Sequence, residues 1–249
     1  RTLAFVTICL TEDPGFLVNC LASICSLLAT TDPTCVVAFV SRWVYREARD
    51  ALAGSGVVTV IAPEWSALPV EHRHAHLGNR SYTFTKLEAF RLTQYERVFY
   101  FDPDVLFVRN ASAAGGVEPF ALAHIHKGKD PSRYFNAGVM ALRPSLRLYN
   151  EFTEAWRAGD YNLHYSDVEN GDTDVLFELC KLRGRCGPIS DLDACTWNHG
   201  SWLPNDSPRP CLLDTTIARH NFMASREKEL ANELTTAMLR GTCRPRAGT

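Results

Sequence analysis

Asp102-Pro103-Asp104 is the tripeptide of this sequence best suited to chemistry. Two carboxylates at i and i+2 project to one side of an extended backbone. Pro103, with a fixed φ and no donor, suits the end of a strand rather than its middle. Without a cation such acids repel and one tends to hold a proton; a hard divalent metal removes the conflict and takes oxygen ligands. A metal held by two or three protein groups keeps positions open for phosphate oxygens, so it can neutralise a departing diphosphate. D-x-D is also a common surface tripeptide. Here apolar residues 98–101 precede it and 105–108 follow it, which places the acids at the mouth of a buried element.

Other residues can join the pair. Residues 215–220 read as a last short strand ending on His220. A lone histidine at a strand end is usually structural, yet this one is the best third ligand for an acidic pair that lacks one. In Asn170-Gly171-Asp172-Thr173-Asp174, the acids either cap a helix running to about 182 or serve the chemistry. Asn136, in Tyr134-Phe135-Asn136-Ala137-Gly138, either makes an Asx-turn or presents its amide to sugar hydroxyls. His72, His74 and His76 alternate in a long connection, 62–83, without an H-E-x-x-H pattern, and read as solvated loop histidines. His124 and His126 share one face of a later strand and read as the rim of a cleft.

The elements around these residues follow from pattern. Thr85 with Glu88 forms a capping box that starts a helix at Lys86, with Leu87 and Phe90 on its buried side. A buried strand, 97–101, leads into the acids. Upstream, strand 3–8, helix 16–28, strand 35–40, helix 44–53 and strand 57–61 alternate, which predicts a parallel sheet with right-handed crossovers. Neither G-x-G-x-x-G nor G-x-x-x-x-G-K occurs, so a dinucleotide fold and a P-loop are not indicated. Downstream, 111–116 reads as a flexible loop, 134–138 as a tight turn into strand 139–142, and 145–158 as a helix whose Leu146, Tyr149, Phe152 and Trp156 form a core stripe.

A chain of 249 residues, 46% hydrophobic and 22% charged, can bury a substantial core as one α/β domain or a domain and a half. A net charge of -2 leaves no footprint for nucleic acid. No apolar run reaches 18 residues, so no membrane span is expected, and a start at Arg1 reads as a trimmed fragment without its targeting or anchoring segment. Nine cysteines without a C-x-x-C pair argue against structural zinc. Cys9, Cys20, Cys25 and Cys35 lie in apolar segments and read as buried thiols; Cys180, Cys186, Cys195, Cys211 and Cys243 lie in polar, loop-rich sequence that suits disulfides, and the odd total leaves at least one thiol unpaired. Sequons at Asn79, Asn110 and Asn205 favour a glycoprotein of the secretory lumen, the Golgi, over the cytoplasm.

Taken together, the ordered set resembles the glycogenin-like members of glycosyltransferase family 8. It comprises Ala4-Phe5-Val6-Thr7, Phe84-Thr85-Lys86-Leu87, Leu92-Thr93-Gln94-Tyr95, Asp102-Pro103-Asp104, Phe135-Asn136-Ala137-Gly138, Pro144-Ser145 with Tyr149-Asn150, Gly171-Asp172 and His220, across roughly residues 3–220. The resemblance implies an α/β GT-A nucleotide-diphospho-sugar transferase fold, a mostly parallel central sheet flanked by helices. It implies one catalytic domain over 1–249, with a nucleotide-binding half to about 110 and an acceptor and metal-closing half beyond. Asp102, Asp104 and His220 would bind Mn2+, or Mg2+, and Lys86 would meet the sugar-diphosphate. Thr7, Leu10, Thr11, Pro103, Asn136, Ala137, Gly138 and Asp172 would line the donor site, with Asp172, Asp174 and Lys86 as the catalytic candidates. A homodimer is compatible with it.

Three departures from the family pattern matter. Thr173 and Asp174 replace the family's Gln and Gly after Asp172. The segment after His220, residues 221–226, lacks the family's glycine and its lysine-proline-tryptophan, with Arg226 as the one substitute for a diphosphate contact. No tyrosine follows Tyr165, so self-priming is not expected and a separate acceptor is implied. Trp197 and Trp202 either stack on that acceptor or belong to the core. The expected activity is metal-dependent retaining transfer of a hexose from a UDP-sugar to a glycan, protein or small-molecule hydroxyl. The other readings are a silent domain that binds nucleotide or glycan, and a nucleotidyltransferase or phosphohydrolase using the same acids.

Overall fold

The computed structural model describes residues 3–10, 14–33, 35–41, 44–61, 78–124, 135–158, 171–199, 215–220 and 225–243. Thr11, His72, His74, His76, His126, Asn170, Trp202 and Cys211, singled out above, lie outside them.

Strands β1 (Leu3–Cys9), β2 (Val36–Val40) and β3 (Val58–Ile61) are linked by helices α1 (Pro14–Thr30) and α2 (Arg46–Gly54) and pair in parallel. β4 (Arg97–Phe101) joins β1 in parallel on its other side. β6 (Ala121–His124), β7 (Phe135–Leu142) and β8 (Ser190–Leu192) complete a seven-stranded sheet in the order β3-β2-β1-β4-β7-β6-β8. β7 runs antiparallel to both its neighbours, so the sheet is mostly rather than wholly parallel.

The period of two along each strand builds two cores. In β1, Ala4, Val6 and Ile8 enter one apolar layer while Phe5 and Cys9 enter the other; in β4, Val98 and Tyr100 oppose Phe99 and Phe101. Both faces are covered, which is why β4 reads as a continuous apolar run. One layer holds α3 (Leu146–Ala158) and the tight helix Gly78–Arg91. The other holds α1, with α6 (Ser225–Leu239) packed across it and Thr235 Oγ1 donating to Val18 O at 2.9 Å.

Helix Gly78–Arg91 is 3-10 in character and starts eight residues before Lys86, inside the predicted connection. Phe84, Leu87 and Phe90 recur every third residue and are fully buried, so a three-residue turn brings all three onto one face. Thr85 and Glu88 therefore sit within the helix rather than capping it, and buried Glu88 pairs with Arg91 at 2.7 Å.

Cys9–Cys20 and Cys25–Cys243 are disulfides, which corrects the reading of Cys9, Cys20 and Cys25 as thiols. Their partners are brought up by packing of α1 on β1 and of the chain end on α1, which apolar neighbours in sequence do not reveal. Cys180–Cys186 is bridged and Cys195 is disulfide-bonded; Cys35 is the free thiol among the described residues.

Candidate metal and donor site

The site forms where β4 ends. Asp102 N–H donates to Gly138 O at 2.7 Å, extending the β4–β7 ladder, and Val105 N–H then donates to Asp102 O at 3.1 Å. That second bond closes a four-residue turn with Pro103 at its second position, the place a fixed φ favours. Asp102 and Asp104 thus converge across a turn, not along the extended backbone expected. The chain continues as β5 (Val105–Phe107), which pairs antiparallel with β9 (Ala218–His220) in a separate two-stranded ribbon. Val105 is opposite His220 in that register, which delivers the imidazole beside Asp104.

His220 Nε2 lies 3.0 Å from Asp104 Oδ1 and 3.8 Å from Asp102 Oδ2. One ligand atom from each of the three residues falls within 4.8 Å of the others. Two carboxylate oxygens and one imidazole nitrogen, converging from a turn and a strand end, suit a hard or borderline divalent cation and leave positions open for other oxygens.

A second group adjoins the first. Lys86 Nζ is 2.8 Å from Asp172 Oδ2 and 3.3 Å from Asp102 Oδ1, and it lies 3.4 Å from Ala137 O. Tyr100, two residues before Asp102 and on the same strand face, donates from its phenol to Asp102 Oδ1 at 2.6 Å. Lys86 lies over the Tyr100 ring at 5.6 Å.

Burial works against charge on Lys86, but the Asp102 and Asp172 carboxylates outweigh it and hold its pKa above the ordinary lysine value. Burial pushes the Asp102 carboxyl up against the pull of Lys86 and His220. Burial opposes ionisation of Asp104 too, yet the neighbouring His220 outweighs it and takes Asp104 below the usual carboxylate value. His220 is disfavoured as a cation by burial and raised on balance by Asp104. The two acids of the pair are thereby made unequal.

A chain of amides backs the imidazole. His220 Nδ1 is 2.7 Å from Asn198 Oδ1, Asn198 Nδ2 donates to Asn136 Oδ1 at 3.1 Å, and Gly138 N–H donates to the same Asn136 oxygen at 2.7 Å.

Comparison with solved structures decides the architecture. A structure of the galactosyltransferase LgtC in complex with donor and acceptor sugar analogs superposes with a TM-score of 0.61 at 18% identity, over 93% of this chain and 96% of that one. Mouse xyloside xylosyltransferase 1 gives 0.60 at 14% identity, over 90% and 98%. The fold is the GT-A glycosyltransferase fold.

In sequence, this GT-A chain is similar to inositol phosphorylceramide glucuronosyltransferase 1 of Arabidopsis thaliana, 30% identical over 112 residues, or 40% of this chain and 20% of that protein. It is similar to glycogenin-1 of Caenorhabditis elegans, 31% identical over 94 residues, or 38% and 20%. Both agree with the glycogenin-like resemblance carried by the motifs. The chain spans about a fifth of the length of each of these relatives. No protein-family signature matches it.

Within the GT-A frame, Asp102, Asp104, His220, Lys86, Asp172, Asn136, Ala137 and Gly138 are brought together, and Pro103 is buried in the turn. Asp172 lies in the first turn of α4 (Gly171–Leu176) and pairs with Lys86 instead of capping the helix. Asp174 is fully buried, two residues on, and so turns away by about 200°. Thr7 is fully buried in β1 and Leu10 is buried at its end, where Leu10 O accepts from Ser41 Oγ. Trp197 is a core residue, packed on Phe99 with centroids 4.9 Å apart. Residues 135–138 of the predicted turn lie inside β7, and Tyr134 lies outside the described residues: pairing with β6 slips between Leu122 and Ala123, and the Gly138 N–H bond to Asn136 Oδ1 turns the strand there. Tyr100 and Asn198 were not foreseen. Alternation back from Asp102 would have found Tyr100; no local signal marks Asn198.

Proposed function

We propose that this chain is a metal-dependent retaining hexosyltransferase that moves a sugar from a UDP-sugar to the hydroxyl of a separate glycan, protein or small molecule. The observation that carries the reading is the union of Asp102, Asp104 and His220 with a buried Lys86–Asp172 pair that touches the same Asp102. Asp102, Asp104 and His220 would hold Mn2+ or Mg2+, which would supply positive charge to neutralise the diphosphate that leaves the sugar. Lys86 keeps a permanent positive charge beside that position, held by Asp102 and Asp172, and strengthens the same stabilisation. Asn136 uses its oxygen in the amide chain, and its Nδ2 forms no hydrogen bond among the described residues, so two N–H donors remain for a sugar hydroxyl. Asp172, held by Lys86 at 2.8 Å, is the carboxylate that orients the donor sugar in this reading. Three cysteine pairs bridged among the described residues and exposed Asn110 support residence in an oxidising lumen such as the Golgi. Among the described residues, no helix is long and apolar enough to cross a membrane.

The test is donor turnover with Mn2+ across UDP-glucose, UDP-galactose and UDP-N-acetylglucosamine, with the released nucleotide identified. UDP release that stops on chelation supports the reading. Turnover of none of them leaves a silent binding domain, and release of monophosphate or pyrophosphate assigns a nucleotidyltransferase or phosphohydrolase.

A further inference from the structure

We propose that Asn198 is a positioning residue that keeps a proton on Nδ1 of His220, so that Nε2, beside Asp102 and Asp104, is the nitrogen that gives up its proton to a cation. The inference deepens the cation reading above and rests on it.

The backbone N–H of Gly138 is a donor whose direction is fixed. Gly138 N–H meets a side-chain atom of Asn136 at 2.7 Å, so that atom is the amide oxygen. The same oxygen is 3.1 Å from Asn198, whose facing atom must then be its NH2. An amide that presents nitrogen one way presents oxygen the other, and Asn198 Oδ1 is 2.7 Å from His220 Nδ1. An amide oxygen only accepts, so Nδ1 carries the proton. Reversing Asn198 would set its oxygen against Asn136 Oδ1 in a site where Asn198 is 1% and His220 6% exposed, leaving little room for water to repair the loss. The backbone N–H of Gly138 thus selects, through two amides, which imidazole nitrogen keeps its proton and which is left to meet the cation.

Asn198 is itself held in place. Its N–H donates to Ala194 O at 3.0 Å at the end of α5 (Ala194–Trp197), a turn capped by Asp193 and bridged through Cys195. Next to it, His199 N–H donates to Ala218 O at 3.2 Å and His220 N–H donates to His199 O at 2.9 Å, so the amide and the imidazole ride on one clamped pair of segments. A ligand imidazole whose far N–H is bonded keeps its orientation and its basicity, and loss of that partner weakens metal binding by about 10- to 100-fold.

The experiment is titration of the chain with Mn2+ alone, read by the electron paramagnetic resonance of the free ion, for wild type, His220→Ala, Asn198→Leu and Asn198→Asp. Asn198→Leu is expected to weaken Mn2+ binding by about 10- to 100-fold, while Asn198→Asp, which still accepts from Nδ1–H but sets its second oxygen against Asn136 Oδ1, is expected to keep more of the affinity than the leucine variant. Both variants lose the bond to Asn136, so a merely structural role predicts at least as much damage in the aspartate variant as in the leucine variant. Equal or greater weakening in the aspartate variant, or a leucine variant that binds as wild type does, overturns the proposal. If wild type itself takes up no Mn2+, or the leucine variant does not fold, long-range 1H–15N correlation of the metal-free Asp104→Ala variant at alkaline pH, in which the carboxylate nearest Nε2 is removed, decides. A proton on Nδ1 of His220 upholds the proposal and a proton on Nε2 overturns it, whatever becomes of the cation reading.

Discussion

Gly138 lies directly against the imidazole of His220. A β-carbon at position 138 would come within 2.6 Å of His220 Nδ1 and within 2.6 Å of Asn136 Oδ1. The close approach of the ring, not an unusual backbone angle, is what demands glycine here. Gly138→Ala is expected to push His220 out of register with Asp104, destabilise the fold by about 1–3 kcal/mol through overpacking, and reduce Mn2+ affinity. Urea unfolding and Mn2+ titration check both parts, and an alanine variant with wild-type affinity would show that the ring is free to move.

Asp104 is the more open acid of the pair, with its side chain 33% exposed against 19% for Asp102. Asp104→Ala should therefore abolish Mn2+-dependent donor turnover with the fold retained, the stability change staying within about 1 kcal/mol. Turnover rates and circular dichroism measure the two effects, and full activity in the variant removes the metal assignment.

Lys86 has the opposite character, since it is buried between two acids. Lys86→Met leaves Asp102 and Asp172 without their shared cation, and removal of one partner from such a buried group costs about 3–5 kcal/mol. Denaturant midpoints of the metal-free protein are expected to fall accordingly, and Mn2+ should recover part of the loss by restoring positive charge beside Asp102. A variant as stable as wild type would mean that the two carboxylates do not depend on Lys86.

The Cys25–Cys243 disulfide joins residues 218 apart and ties the end of the chain to α1. Cys243→Ser is expected to lower stability by about 2–5 kcal/mol and to loosen α6, seen as faster hydrogen exchange in α6 than in β1 and β4. Unchanged protection of α6 would show that its packing on α1 suffices.

Strands, helices and the acid pair were legible because their signals are local. The apolar runs in 97–101 and 3–8 need no knowledge of the partner strand, and β4 and β1 lie where those patterns put them. The helix before β4 was misplaced because Thr85 and Glu88 satisfy a local capping rule that tertiary burial overrides: with Phe84, Leu87 and Phe90 all inside, the turn tightens and the helix runs through. The parallel reading stopped short at β7 for a similar reason, because strand direction depends on the path between strands and not on residue type.

By itself the sequence determined the order of the elements, the acids at a strand's end and the histidine that could complete them, because periodicity and the chemistry of residue types act over a few positions. Only the tertiary structure decided that Asp102-Pro103-Asp104 is a turn, that β9 brings His220 across from Val105, that Cys25 finds Cys243, and that Asn198 stands behind the imidazole. Each of those joins residues far apart in the chain, and such contacts form only when burying two apolar layers brings their carriers together.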